Sequence, residues 1–412
     1  MKIWLTQIGE TLPLNANVRK MRTCYLAERL SARGHEVVWW ASAFDHMQKK
    51  ALFPADREIE IDPHLRIKAL TSRGYEKNIS LRRYFDHFLL SKKMAKHFLE
   101  CDPPDLIIAS MPDHFTAYQA VKYAMLRKVP ILVDVRDEWP DVFLNFVPPV
   151  IRPLMKPFLV SDNKKVNYLL KNAMAILSMM PHVLSWALAR AGREETWRDK
   201  VFYIGSQYAE RLADAPIPEK FRAVANKLNG RCVVTFIGTM GSYYNPLIIA
   251  EVAKKMKENK NVFFIIAGNG IHFDVIQDCA RNCDNVFLPG WVSEPEIQYL
   301  LSISHIGVIP CTDSIEAFPN KAYTYMSAGL PILSSVQGEL GNLIDHKQIG
   351  YTYPIGDHRT LTELIDKLAG NVELRQTISQ NAAAIFKEKY DADLIYEKFA
   401  LHVEEIAKER RI

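Results

Sequence analysis

The stretch HIGVIPCTDSIEAFPNKAYTYMSAGLPILSS, residues 305–335, runs from one short apolar segment through a polar loop and a helical pattern into another apolar segment. HIGVIP and LPILSS are short runs of strand type. Between them Asn320 is the expected N-cap, and Gly329 with Pro331 is the expected stop of a short helix over residues 321–328. A strand that leads through a helix into a second buried strand is a βαβ unit, and its strands pair in parallel.

The same alternation extends both ways. RCVVTFIG, NVFFIIAG and NVFLPG precede the stretch and GYTYP follows it, while KIWLTQ, EVVWWA, DLIIAS, PILVDV, AMAILSM and KVFYIG form an earlier series. A chain of 412 residues exceeds one hydrophobic core. Two α/β domains are expected, 1–205 and 206–385, with a linker near Gly205–Pro218 and a closing helical segment over 386–412.

With 48% hydrophobic and 24% charged residues the chain is of ordinary globular type, and a net charge of +5 gives no case for nucleic acid. The six cysteines form no CxxC pair, so neither a metal site nor a disulfide framework is expected; Cys279 and Cys283 read as packed thiols. That usage suits a reducing compartment. MKIWLTQIGE reads as a strand broken by Gly9, not as a signal peptide, and no run is long enough to span a membrane. The expectation is a cytoplasmic protein, soluble or peripheral at the inner face of the cell membrane. The lone DxD, Asp391 and Asp393, lies between terminal helices and reads as a turn or cap.

In open parallel sheets ligands bind beyond the carboxyl ends of the strands. The loop TMGSYYNP places Gly238, Thr239 and Gly241 there, either as a tight turn or as backbone that approaches a ligand; IIAGNG repeats the device with Gly268 and Gly270 and does not fit GxGxxG. Lys321 in a first helical turn opposes the dipole, by about 0.3–1 kcal/mol. An anion between that lysine and the helix N–H groups accounts for it, and plain surface placement is the alternative. Glu316 would repel phosphate yet accept hydrogen bonds from a polyol, so the pair suggests a sugar bearing a phosphate.

The run Glu316, Phe318, Pro319, Asn320, Lys321, Tyr325, Met326, Ala328, Gly329, Pro331 resembles the two-acid motif region of retaining glycosyltransferase family 4. GHEV at 34–37 and the closing helix are similar too. The resemblance implies a GT-B fold, with two Rossmann-like parallel-sheet domains facing a central cleft and the C-terminal helix returning to the first domain. It further implies a nucleotide-sugar donor such as a UDP-sugar, no required metal, and transfer with retention. WWASAFDHMQKK and DVRDEWPD resemble the subgroup that builds bacterial surface polysaccharide (O-antigen or capsule) and includes N-acetylfucosamine transferases, which implies a lipid-linked glycan acceptor.

By that resemblance Glu316 contacts donor-sugar hydroxyls, and Lys321 with the backbone near Gly338, Glu339 and Leu340 surrounds the diphosphate. Gly238, Thr239, Gly268, Phe318, Asn320 and Thr324 complete the expected donor set. Thr324 stands where the family has a second acid, and TMGSYYNP lacks the usual Arg and Lys. Loss of one charged hydrogen bond, about 1.5–3 kcal/mol, would weaken the donor roughly tenfold or more unless it is replaced.

In the first half, Asn15 or Asn17 is the expected cap of a helix whose first turn carries Arg19, Lys20 and Arg22, as an anion site or as a solvated basic face. Trp39 and Trp40 read as packing; His46, Lys49 and Lys50 lie beyond their strand. Arg136 either holds a phosphate or pairs with an Asp. Asp137 matches the residue that family members place beside the reaction centre. His114 is expected to orient the acceptor or act as base, unless Asp113 merely caps a helix there. The expected catalytic set is thus Glu316, Asp137 and His114, and the acceptor set Arg19, Arg22, His46 and Arg136. LRRYFDHFLLSKKMAKHFL (81–99) and PPVIRPLMKPFLVSDNKKVNYLLK (148–171) mix cations with apolar residues, as surface helices or as membrane-surface elements. Two rivals to the enzyme are a catalytically silent GT-B subunit, motivated by Thr324, and a nucleotide-sugar epimerase, which would convert donor without acceptor.

Overall fold

The apolar runs quoted above all form strands, in two separate sheets. A computed structural model describes residues 1–15, 18, 20–148, 150–209, 216–241, 243–312 and 318–409, and the chain divides into two units. Unit 1 takes Met1–Ile204 with Ile395–Ile412, and unit 2 takes Gly205–Leu394. Residues 210–215 of the expected linker lie outside the described residues.

Unit 1 runs β1 (Lys2–Thr6), α1 (Arg22–Ala32), β2 (Glu36–Ser42), the hairpin β3 (Phe44–Asp45) and β4 (Lys50–Ala51), β5 (Arg57–Asp62), β6 (Leu65–Leu70), α2 (Leu81–Glu100), β7 (Leu106–Met111), α3 (His114–Arg127), β8 (Ile131–Val135), α4 (Arg152–Lys171), β9 (Ala175–Ser178), α5 (Pro181–Ala191) and β10 (Lys200–Val201). Its sheet has the order β10-β9-β8-β7-β1-β2-β6-β5 and is parallel except for the edge strand β5, antiparallel to β6. REIEID alternates charge with Ile, a pattern an edge strand tolerates and a buried one does not, which is why it does not stand out in the sequence. Trp39 and Trp40 are packing residues: Trp40 meets Trp4 edge-on at 5.2 Å, and Trp39 Nε1 donates to Gln7 O at 2.9 Å.

Asp162 of α4 joins three helices. It accepts from Tyr84 of α2 at 3.0 Å and from Lys165 at 2.9 Å, and it lies 3.3 Å from His114 at the start of α3. Burial pushes its carboxyl up, but His114 and Lys165 override this and hold it down at about 2. A depressed carboxylate stabilises the fold above its unfolded pKa and loses that contribution as pH falls through the folded one. Asp162→Ala is therefore expected to cost about 1–3 kcal/mol at pH 7, with the gap to wild type closing as pH falls from about 4 towards 2. Urea titrations at neutral and acid pH measure it; an equal gap at both would sink the assignment.

Unit 2 runs α6 (Glu219–Leu228), β11 (Cys232–Ile237), α7 (Leu247–Lys255), β12 (Val262–Ala267), α8 (Phe273–Ala280), β13 (Val286–Gly290), α9 (Glu294–Ile303), β14 (Ile306–Ile309), α10 (Asn320–Ser327), β15 (Ile332–Ser334), α11 (Glu339–Lys347), β16 (Gly350–Thr352), α12 (His358–Gly370) and α13 (Val372–Ile385). The sheet is wholly parallel, in the order β13-β12-β11-β14-β15-β16. Its central strands are buried at every residue, as strands covered on both faces must be.

The boundary expected at residues 385 and 386 moves. Phe386 is fully buried near Tyr208, and Tyr390 packs on Phe318 and Tyr323 at 5.2 and 5.3 Å, so this segment belongs to unit 2. The last helix, α14 (Ala392–Glu409), enters unit 1 only from Ile395. Asp391 Oδ1 accepts from Asp393 N at 2.9 Å, a turn at the start of α14. Within unit 1, Arg33 binds Glu404 of α14 at 2.8 Å, and Phe399 stacks on Phe202 at 4.4 Å.

Candidate functional site

The loops that follow β11 and β12 are zipped together by backbone. Gly238 N donates to Ala267 O at 3.0 Å and Met240 N to Asn269 O at 2.9 Å. Gly268 has φ +136°, and a Cβ there would overlap the Gly238 carbonyl, with its carbon at 2.9 Å; at Gly270, φ +150°, the Met240 carbonyl carbon would lie at 2.8 Å. These two glycines are therefore required by the neighbouring loop, independently of any ligand.

Gly238 has a different neighbour. At φ +143°, a Cβ on it would lie 2.5 Å from Lys321 Nζ, so the ammonium sits directly over its backbone. Lys321 reaches there from the first turn of α10, 3.8 Å from the Tyr244 ring centroid and 5.2 Å from that of Phe236. TMGSYYNP carries no cation of its own, but it supplies the aromatic face that holds one. Tyr244 was not legible as a site residue because its partner lies far along the chain. Thr239 is exposed beside this point.

The cap of α10 is Pro319 rather than Asn320, with no side-chain cap bond; Asn320 is the exposed first helical residue. Proline's φ of −64° already suits a helix entry. Phe318 is buried, stacked on Tyr323 at 4.7 Å, so its side chain is core and only its backbone is left to face a donor. Thr324 Oγ1 donates to Asn320 O at 3.2 Å, one turn back, which leaves its lone pairs to accept. Gly338, at φ +71°, caps α11, Glu339 begins that helix, and Leu340 is buried with only its backbone at the helix start. Glu316 lies outside the described residues, as do Asn17 and Arg19.

In unit 1 two of the expected acceptor cations, Arg22 and Arg136, are held in internal pairs. Arg22 is buried and binds Asp134 through Nη2 at 2.7 Å and Nε at 2.9 Å, donates to Phe202 O, and lies 5.1 Å from the Phe399 ring. Arg136 binds Asp134 at 2.8 Å through Nε, pairs with Glu10 through Nη1, and donates through Nη2 to Thr23 and Ser110 at 2.8 and 2.9 Å. Neither guanidinium is available to an acceptor. The anion that the first turn of α1 attracts is Glu10, whose carboxylate accepts from Thr23 N at 3.0 Å; Met21, not Asn15, stands at the N-cap. Burial raises the Asp134 carboxyl, yet Arg22 and Arg136 together hold it below the usual range.

His114 is buried at the start of α3, capped by Asp113, which accepts from Phe115 N at 2.7 Å and Thr116 N at 2.9 Å. Neither ring nitrogen of His114 makes a hydrogen bond; its approach to Asp162 is electrostatic. Asp137 is half-buried just after β8 and accepts from Glu138 N at 2.8 Å. Burial raises its carboxyl, against the Glu138 N–H and Trp139. His46 Nδ1 lies 2.6 Å from Tyr75 Oη, and burial followed by Arg83 and Lys49 pushes its imidazole down to about 4. The structure thus joins His46 and His114 through residues the sequence had not marked as a site: Arg83 lies 5.5 Å from the Tyr75 ring and 5.1 Å from that of Trp139, and His114 lies 6.3 Å from Trp139. Arg83 had a signal, a cation in the first turn of a helix capped by Ser80.

Residues 218–384, within unit 2, match the family model for Glycosyl transferases group 1. The "Probable glycosyltransferase WbjE" of Pseudomonas aeruginosa is 24% identical over 205 residues, 48% of this chain and 50% of that protein. The chain spans about half the length of the curated relatives it matches. Among solved structures, alpha,alpha-trehalose 6-phosphate synthase from Burkholderia multivorans superposes with a TM-score of 0.71 at 12% identity, over 100% of this chain and 98% of that one. Anabaena Alr3699/HepE in complex with UDP-glucose does so with a TM-score of 0.64 at 16% identity, over 98% and 100%. These likenesses establish the fold, GT-B with two Rossmann-like parallel-sheet units, and the match to the glycosyl transferases group 1 model falls in the second of them.

Proposed function

We propose that this chain is a retaining glycosyltransferase that moves a hexosyl group from a nucleoside diphosphate, UDP in the first instance, to a lipid-linked glycan in bacterial surface-polysaccharide synthesis. The observation that carries the reading is Lys321: its ammonium is held over Gly238 at the carboxyl end of β11, inside the segment that matches glycosyl transferases group 1. The complex of HepE with UDP-glucose supports a nucleotide-sugar as the donor class. Membership of the subgroup with N-acetylfucosamine transferases is the finer form of the reading.

In this scheme Lys321 and the start of α11 at Gly338–Leu340 meet the diphosphate, Thr324 accepts from a ribose hydroxyl, and Glu316 orients the sugar. The bond from the anomeric carbon to the phosphate oxygen breaks. The acceptor hydroxyl bonds to that carbon on the same face, and its proton passes to the departing phosphate. Stabilising that oxygen's growing charge is the main task, and a fixed ammonium in a low-dielectric setting suits it. No step calls for a metal. Asp137 of unit 1 positions the acceptor.

Contact with a lipid surface is part of the proposal. Among the described residues no helix is long and apolar enough to cross a membrane. On unit 1, Leu81 and Phe85 of α2 are 77% and 58% exposed and Leu154 of α4 is 70% exposed, interleaved with Arg82, Lys92 and Lys96, the composition of a peripheral contact.

Lys321→Ala is expected to weaken UDP binding about tenfold or more, the worth of one charged hydrogen bond. Glu316→Ala is expected to abolish transfer while UDP still binds. Calorimetry with UDP and transfer assays with UDP-sugars and polyprenyl-diphosphate glycans test both, and the anomeric coupling in the product reports retention. Unchanged activity in both variants would refute the site, and turnover of donor without acceptor would favour an epimerase.

A further inference from the structure

With Arg22 and Arg136 committed to internal pairs, a further compact cationic group lies at the strand ends among the described residues of unit 1. Lys49, in the turn between β3 and β4, lies 5.1 Å from the Tyr75 ring centroid, and Arg83 of α2 lies 5.5 Å from the same ring. His46 approaches the Tyr75 hydroxyl at 2.6 Å and His87 at 3.5 Å. The segments after β2 and β6 thus converge with the first turns of α2 on one phenol ring, and Arg83 links it to Trp139 after β8.

Among the described residues neither cation's hydrogen bonds go to a carboxylate, and Lys49 Nζ also lies 3.4 Å from His46 Nδ1. Lys49 donates to the His46 carbonyl and to Asn78 Oδ1, and Arg83 Nη1 donates to Asn78 O at 2.8 Å, while its buried Nε has no hydrogen-bond partner. The nearby carboxylates accept from backbone N–H groups and keep their charge. Asp45 accepts from Met47 N and Gln48 N at 2.7 and 2.8 Å, Asp86 from Gly74 N at 2.7 Å, and Asp113 from the start of α3. The first turn of α2 contains no acid and carries Arg82 and Arg83 against the helix dipole.

The local field registers on the neighbours. His46 is pushed down to about 4, by burial and then by Arg83 and Lys49; His87 falls to about 4 by burial, with Asp113 opposing and Arg83 adding. The aromatic rings of Tyr75 and Trp139 fix the cations in place, and at Lys49, where burial and then Arg83 lower the ammonium, Asp45 opposes them.

We propose that Lys49 and Arg83 bind a phosphate group carried by the acceptor, with His46 beside it. The inference rests on the glycosyltransferase reading only for the word acceptor; the anion site stands on the cluster itself. A phosphate between the two cations accepts charge-assisted hydrogen bonds from both and relieves their mutual repulsion. It reaches this cluster either on a soluble sugar phosphate or as the phosphate of a lipid headgroup.

The test uses the full chain carrying Lys321→Ala, so that the donor site does not compete for anions. Inorganic pyrophosphate is titrated by calorimetry, and phosphatidylcholine vesicles with and without phosphatidic acid are tested by co-sedimentation. Lys49→Met and Arg83→Gln are each expected to weaken one or both arms about tenfold or more, with Arg83→Lys restoring part of the loss. Loss in the pyrophosphate arm assigns a soluble phosphate, and loss confined to vesicles assigns a headgroup. Circular dichroism checks that each variant is folded, and the two single variants serve as alternatives if one is not. Absence of any anion binding in the Lys321→Ala chain, or equal binding in the folded variants, overturns the proposal. UDP titration of the chain with Lys321 intact reads the donor site separately, so a failed glycosyltransferase reading and a failed anion site give different results.

Discussion

Asp134→Ala is expected to destabilise unit 1 by about 3–5 kcal/mol, because removing one member of a buried ion network leaves its partners charged in a poor solvent. Asp134 is only 2% exposed and receives both Arg22, at 2.7 Å, and Arg136, at 2.8 Å. Of these, Arg136 keeps Glu10, whereas Arg22 keeps only carbonyls and the Phe399 ring. For a unit of this size the loss lowers the melting temperature of its transition by on the order of 10 °C. Replacing both charges, Arg22→Met with Asp134→Leu, should recover much of it, since an apolar pair of similar volume needs no compensation. Calorimetry that resolves the two units decides the matter. A single variant within about 1 kcal/mol of wild type would show that the network is solvated.

The sign with pH is fixed by the same contacts. Arg22 and Arg136 hold the Asp134 carboxyl down, so its contribution is complete above the ordinary carboxylate pKa and fades as pH falls through the depressed one. The difference between wild type and Asp134→Ala should therefore be largest near neutrality and shrink in acid.

Gly268→Ala is the second large effect, and it falls on unit 2. The new methyl would overlap the Gly238 carbonyl at a backbone φ of +136°, so the loops after β11 and β12 must part. Backbone strain of this kind costs about 1–3 kcal/mol by itself, and the clash adds to it. A loss above about 4 kcal/mol belongs to such specific causes rather than to ordinary substitutions. Because Lys321 rests over Gly238, UDP binding should fall with stability. Gly230→Ala is the control: its φ is +72°, but a Cβ there meets nothing within 4 Å, so only the conformational cost remains. Equal melting temperatures for the two variants would remove the loop contact as the reason for the glycine.

Much of the candidate donor site could be read from residues 305–335, because strand, helix entry and cation lie close together in the chain. The short helix forms one residue earlier than expected, and its cap is Pro319, a matter of local φ. What could not be read was the company each charge keeps. Arg22 and Asp134 are 112 residues apart, and Arg136 and Glu10 are 126 apart. A basic first turn looks the same in sequence whether it awaits a ligand or a carboxylate from elsewhere in the fold. The cluster at Tyr75 was hidden for the same reason, since Lys49, Arg83 and Trp139 belong to different elements.

By itself the sequence determined the two parallel α/β sheets, since period and turn residues act over a few positions and twelve apolar runs repeat the same local instruction. The tertiary structure alone decided which cations are already paired with a carboxylate and which are not. Burial makes that distinction through Coulomb energy, which depends on distance in space and on exclusion of water, and neither is carried by position along a chain.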